Sequence, residues 1–149
     1  MSYKTASSSY KEARVKTAGQ GQLIVMLYDE AVKQLTTATE LLHLNEKGKK
    51  DPGRIEQISK AVLKTQEIIT ELMVSLDFDN GGEIAKNLFS IYTWFNKELV
   101  ESNIGQDVHR ISAVRDMIAD LRNSWNTIVS QKAAEPPKRE TAVGLNIAG

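Results

Sequence analysis

Residues 71–92 read ELMVSLDFDNGGEIAKNLFSIY. An apolar pattern of helical period runs into Leu76, breaks across Asp77 to Gly82, and resumes at Ile84. Asn and Gly tolerate positive φ, and a second Gly frees the backbone further, so the break is turn chemistry. Two helices therefore meet at a tight corner, and a short corner makes them antiparallel neighbours.

Working outward from that corner, Ile55, Ile58, Val62, Thr65, Ile69, Leu72 and Leu76 recur at spacings of three and four. They form one stripe of a helix that opens with Asp51 as N-cap and Pro52 at N1. The next helix begins near Gly82 or Glu83 and carries Ile84, Leu88, Ile91, Phe95 and Leu99. It ends near Asn103, with Gly105 placed to relieve its C-terminus. Before the pair, a helix from about Ala18 to Leu44 presents Ile24, Tyr28, Ala31, Leu35, Ala38 and Leu42 on one face, with Thr17 and Gln20 as a capping box. After it, Asp107 is the N-cap of a helix whose stripe is Ile111, Val114, Ile118, Leu121, Trp125 and Ile128. Four stripes joined by short loops predict an all-α, antiparallel up-down-up-down four-helix bundle over residues 17–132. Residues 1–16 read as a flexible N-terminal arm. Residues 133–149 follow as a flexible C-terminal tail, because Pro136 and Pro137 stop a helix.

Composition limits the function. The 149 residues suit one domain with a substantial core. Nineteen basic and nineteen acidic residues give no net charge, which argues against nucleic acid as a partner. Cysteine is absent, which removes thiol and Cys-based zinc chemistry and fits a reducing cytosol. The longest apolar run, Leu23 to Tyr28, falls far short of the roughly 20 residues that a membrane span needs. The N-terminus has no apolar signal region.

Catalytic constellations are weak. Glu40-x-x-His43 has the spacing of a bundle metal element, but the other histidine, His109, has Gln106 where a second Glu would stand. Asp77 and Asp79 flank a turn and read as capping groups. The sequence thus predicts no enzyme, no cofactor and no metal. Apolar surplus is the better clue. Leu23 to Tyr28 is apolar around the whole helix, Ile68, Met73 and Val74 lie beside the second stripe, and Phe89, Tyr92 and Trp94 beside the third. Off-seam apolar residues on adjacent helices point to a groove for an amphipathic segment.

Taken in order, Tyr10, Thr17-Ala18, the run Leu23 to Ala31, and the corner set Leu72, Ser75-Leu76-Asp77, Gly81-Gly82, Glu83-Ile84-Ala85, Asn87-Leu88 and Tyr92 carry a resemblance. With Asn103, Leu121-Arg122 and Trp125, the chain resembles the flagellin-specific export chaperones of the FliS family over residues 10 to about 130. Gly19-Gln20 stands where the family has Ser-Pro, and Glu30 where it has Gly.

The resemblance implies a cytoplasmic chaperone that binds the disordered C-terminal segment of flagellin. It would prevent premature polymerisation and deliver the client to the flagellar type III export apparatus. The export gate and other flagellar regulators are further candidate partners. On this reading Leu23, Met26, Leu27, Phe89 and Trp94 line the groove, and Tyr10 anchors the arm. Tyr28, Leu76, Asp77, Gly81, Gly82, Glu83, Ile84, Asn87, Leu88 and Tyr92 are structural, with Leu76, Ile84 and Leu88 in the core and Asn87 a buried polar group. Tyr10 in the arm or Leu145 in the tail are candidates to cover the groove. The alternative is a non-catalytic adaptor that docks a folded partner.

Overall fold

A computed structural model describes the backbone of residues 2–134 and the side chains of residues 19–131. The described chain is four helices without strands: α1 (Ser2–Lys47), α2 (Pro52–Val74), α3 (Phe78–Gly105) and α4 (Val108–Ala134). Backbone contacts join α1 to α2 and α4, and α3 to the same two helices, so α1 and α3 face each other across the diagonal of a square bundle. This is the antiparallel four-helix bundle that the stripes predict.

Helices α2, α3 and α4 each begin where an aspartate caps them. The Asp51 carboxylate accepts from Gly53 N–H at 2.9 Å, ahead of Pro52. Asp107 accepts from His109 and Arg110 N–H at 3.1 and 3.2 Å. Both caps satisfy amides that the first turn leaves without carbonyl partners. Asp77 plays the same role for α3, accepting from Asp79 and Asn80 N–H. The backbone and side-chain amides of Asn80 hold its carboxyl below the usual carboxylate range.

The helix ends differ from expectation in three respects. α3 starts at Phe78, earlier than Gly82, because Asp77 caps a first turn before the break. Gly82 itself then takes φ 52°, ψ −127°, and the long helix continues beyond it. At the far end the left-handed residue is Gln106, with φ 53°, and not Gly105. The Gln106 side chain offsets that cost by donating to the Asn103 carbonyl at 2.7 Å. At the N-terminus, residues 2–18 are helical in backbone and are set off from the rest of α1 by non-helical Gly19 (φ 83°, ψ 167°). The side chains of Tyr10 and Thr17 lie outside the described residues, as do residues 135–149 of the tail.

The core holds the predicted stripes with a few departures. Tyr28, Leu35 and Leu42 of α1, Ile58, Val62 and Ile69 of α2, Phe95 and Leu99 of α3, and Ile111, Val114 and Ile118 of α4 are buried. Thr65, the one polar residue in the second stripe, is buried and donates to the Ala61 carbonyl at 2.9 Å. Leu76 is half-buried against the core and Leu88 is buried. Ile84 is not core: it is 70% exposed, because it follows the Gly82 break at the end of the bundle. Asn87 is exposed and not a buried polar group. Ile55 and Ile128, at the ends of their stripes, are also exposed.

The helices differ in how closely they pack. α1 turns Ala31 and Ala38 inward, and Ala61 of α2 is also buried, so α1 can approach its neighbours. At Gly21 the approach is so tight that a Cβ would come within 2.7 Å of Val129 on α4. α3 turns Ala85, Leu88, Tyr92, Phe95, Leu99 and Ser102 inward, and its backbone approaches α2 and α4 less closely than that of α1 does. The diagonal gap is filled by Tyr28 and Tyr92, whose hydroxyls hydrogen-bond to each other in the core.

Burial raises the pKa of both phenols above the ordinary value near 10. The folded chain thus keeps both protonated at pH values where an unfolded tyrosine ionises. Their contribution to stability is fully present below pH 10 and is lost as pH climbs through the raised folded values. In an alkaline titration, Tyr28 and Tyr92 are expected to ionise only as helical circular dichroism collapses. Full ionisation of all four tyrosines before any loss of helix would contradict this account.

Candidate functional site

The five residues expected to line one groove fall on two diagonal helices. Leu23, Met26 and Leu27 of α1 are half-buried, and Leu27 packs against the core. Phe89 and Trp94 of α3 are 43% and 41% exposed. Five helical positions turn the chain by about 140°, so Phe89 and Trp94 look out on opposite flanks of α3. The structure therefore sets these residues in three places and not in a single groove.

The flank toward α2 is partly polar. Ser59 donates to Asn103 at 3.3 Å, and Gln66 donates to the Asn96 carbonyl at 3.5 Å. The Asn96 Oδ1 atom is buried with no hydrogen-bond partner. Phe89 sits at the corner end of this flank, where its ring meets Phe78 edge-on, with centroids 6.0 Å apart. Leu63 and Val100 are exposed farther along α2 and α3.

The flank toward α4 is more apolar. A shallow depression there is lined by Ser90, Ile91, Trp94 and Met117. The Trp94 ring also packs on Phe95, centroids 6.0 Å apart, so it is held while its outer edge stays open. α4 runs antiparallel to α3, with Arg110 beside Glu98 and Met117 beside Trp94. Continuing at 100° per residue, Ile128 arrives on the same side of α4 opposite Ile84. Ile84 and Ile128 are 70% and 51% exposed. Apolar side chains thus stand at both ends of this stretch, Ile84 and Ile128 at the corner end and Ile91, Trp94 and Met117 farther along, with exposed Asn87 and Ser124 between them. Its far end is closed by charge: Arg110 contacts Glu98 at 2.9 Å and Glu101 at 2.6 Å. The Arg110 hydrogen bonds hold the Glu98 carboxyl below the usual range, and raise the guanidinium above its own.

Met117 and Ile128 were not singled out in the sequence as groove residues. Met117 lies one position before Ile118, off the α4 stripe, and an apolar residue beside a stripe was the available signal. Of the structural set, Tyr28 and Tyr92 meet in the core, Asp77 caps α3, and Gly82 supplies the break. Gly81 donates its N–H to the Asp77 carbonyl at 2.7 Å, and Glu83 is exposed. Glu40 and His43 are exposed, and His43 lies 3.7 Å from Glu46. Among the described residues no three His, Cys, Asp or Glu side chains converge on a metal position. None of the described helices is long and apolar enough to cross a membrane.

Comparison with known proteins places this arrangement. Residues 2–132 match the family described as flagellar protein FliS. The flagellar secretion chaperone FliS of Salmonella typhimurium is 32% identical over 124 residues, covering 83% of this chain and 85% of that protein. Its Escherichia coli counterpart is 27% identical over 127 residues, covering 85% and 88%. The Bacillus subtilis protein is 24% identical over 132 residues, covering 89% and 92%.

Proposed function

This chain belongs to the FliS family of flagellar proteins, and on that premise we propose that it is a flagellar export chaperone whose client is flagellin. It binds the disordered C-terminal segment of flagellin in the cytoplasm, keeps the client from polymerising and delivers it to the type III export apparatus. The observation that carries this reading is α3. Two large aromatic side chains, Phe89 and Trp94, stand open on its two flanks, each beside a seam where α3 approaches its neighbour less closely than α1 does. Apolar side chains exposed along seams of this kind mark recognition surfaces. An amphipathic segment laid along one of them has its apolar face covered, and a covered face cannot join a filament.

Energetics suit holding without nucleotide. Coupled folding and binding of such a segment buries on the order of 1,000–3,000 Å², and ordering it costs about 2–5 kcal/mol. Binding is then firm yet reversible. Leu23, Met26 and Leu27 belong to this proposal as a second contact region on α1, since a segment long enough to wrap can reach more than one face. Tyr10 is assigned to the arm that flanks it.

Titration calorimetry against the organism's own flagellin tests the reading. One-to-one binding that disappears when flagellin lacks its C-terminal segment is the expected result. Equal binding to both forms would move the client site elsewhere on flagellin. Binding to neither would favour the adaptor that docks a folded partner.

A further inference from the structure

The chain has no cysteine, so its readily oxidised sulfur is methionine. The four methionines are Met1, Met26, Met73 and Met117. Met1 lies outside the described residues. Met26 and Met73 are half-buried, and the Met73 sulfur lies in the α2–α3 seam, 4.0 Å from the Asn96 amide nitrogen. Met117 differs from both. It is 41% exposed on α4, and it lines the α3–α4 depression with Ser90, Ile91 and Trp94.

The oxidation state of this sulfur decides what the depression can hold. A thioether is apolar and repacks easily against an apolar partner. A sulfoxide is polar and carries an oxygen that accepts hydrogen bonds. The surface of the depression is almost wholly apolar and presents no donor to that oxygen. In the free chain, water bonds to it. Under the apolar face of a bound segment it is buried without a partner, which penalises binding and leaves the bundle as it was. Met117 stands one position off the core stripe, so its change of polarity is felt at the surface and not by Ile118 behind it.

We propose that Met117 is an oxidation site that loosens the client contact at the α3–α4 depression. The proposal rests on the client reading given above. The oxidant is a hydroperoxide such as hydrogen peroxide. The sulfur lone pair attacks one peroxide oxygen, an S–O bond forms and the O–O bond breaks. The proton of the transferred oxygen passes to the departing one, which leaves as water. Sulfur is oxidised and peroxide is reduced by the same electron pair. A pair of thiols on a sulfoxide reductase reverses the step, yielding thioether, disulfide and water.

Limited treatment of the purified full chain with hydrogen peroxide, quenched before flagellin is added, tests the proposal. Peptide mass spectrometry is expected to find sulfoxide at Met117 ahead of Met26 and Met73. Oxidation of either as fast as Met117 would overturn the inference. Calorimetry is expected to show the treated chain binding flagellin at least about tenfold more weakly than the untreated chain, as for an acceptor buried without a donor. Met117→Leu keeps an apolar side chain of similar volume but has no sulfur there. Its affinity is expected to differ by less than about twofold between its own treated and untreated forms. An equal loss in Met117→Leu would assign the effect to another residue, and unchanged affinity in the treated wild-type chain would place Met117 outside the contact. Either result overturns the inference. Helical circular dichroism is expected to be the same before and after treatment, and loss of helix would overturn it as well, because weaker binding would then report unfolding. Failure of the untreated chain to bind flagellin would overturn the client reading itself and this inference with it.

Discussion

Replacing Tyr92 with alanine is expected to lower the free energy of unfolding by about 3–5 kcal/mol, the range for truncating a large aromatic in a core. Tyr92 is 2% exposed and fills the diagonal between α3 and α1. Its neighbours Leu88, Phe95 and Leu99 on α3 are themselves buried, so refilling the space it leaves requires the core to shift. The hydroxyl adds a second effect. Without Tyr92, Tyr28 loses its partner across the core and keeps only its contact with Trp125. Leaving a buried hydroxyl short of a partner costs about 1–3 kcal/mol, whereas removing both hydroxyls is nearly neutral. Tyr92→Phe is thus expected to destabilise more than the Tyr28→Phe, Tyr92→Phe pair does. Urea unfolding of the four chains checks both statements. A loss below about 1 kcal/mol for Tyr92→Ala would show that the diagonal repacks.

The second large effect falls on binding. Phe89→Asp and Trp94→Asp are each expected to weaken flagellin binding by at least about 30-fold, which corresponds to the roughly 2 kcal/mol of a binding hot spot. An aspartate at either position sets a charge against the apolar face of the client and removes the aromatic contact. Both side chains are more than a third exposed, so the bundle is expected to survive either change. Leu27 makes a poorer probe because it packs against the core, and a charge there would disturb the fold itself. Ile104→Asp is the control: Ile104 is 81% exposed at the opposite end of α3, and binding is expected to change by less than about threefold. Wild-type affinity in both aromatic variants would remove α3 from the client surface.

Periodicity made the bundle legible. Stripes at three and four, Asp51 before Pro52, Asp107 before α4 and the Asp-Asn-Gly corner are local signals, and the structure uses each of them. Core membership failed where local signals end. Ile84 continues the α3 stripe in sequence, yet the Gly82 break places it at an open end. Asn87 adjoins Leu88 in sequence, and one helical step is enough to turn it to solvent. Gly105 is the residue expected to reverse the chain, but Gln106 does so because its amide reaches the Asn103 carbonyl.

The surface was less legible than the core. Apolar surplus identified the helices that carry open side chains, and Phe89 and Trp94 are indeed exposed. It could not tell which helices stand diagonally, and that alone separates Leu23, Met26 and Leu27 from the α3 residues. Nor does a stripe reveal how far apart two helices sit. That separation becomes visible only when both helices are placed.

Arg110 ties α4 to α3 through Glu98 and Glu101 immediately after the chain reverses at Gln106. Near the middle of α4, Arg122 reaches Asp29 of α1, and among the described residues no ion pair joins α4 to α3 from there to the corner end. Mechanically the two helices form a clasp, with a fixed pivot and a free jaw. At the jaw, Ile84 and Ile128 are both largely exposed, so their side chains can shift with little loss of packing. Side chains at that end can therefore adapt to occupants of different girth while Ala85, Leu88 and the Tyr28–Tyr92 diagonal behind them keep their packing.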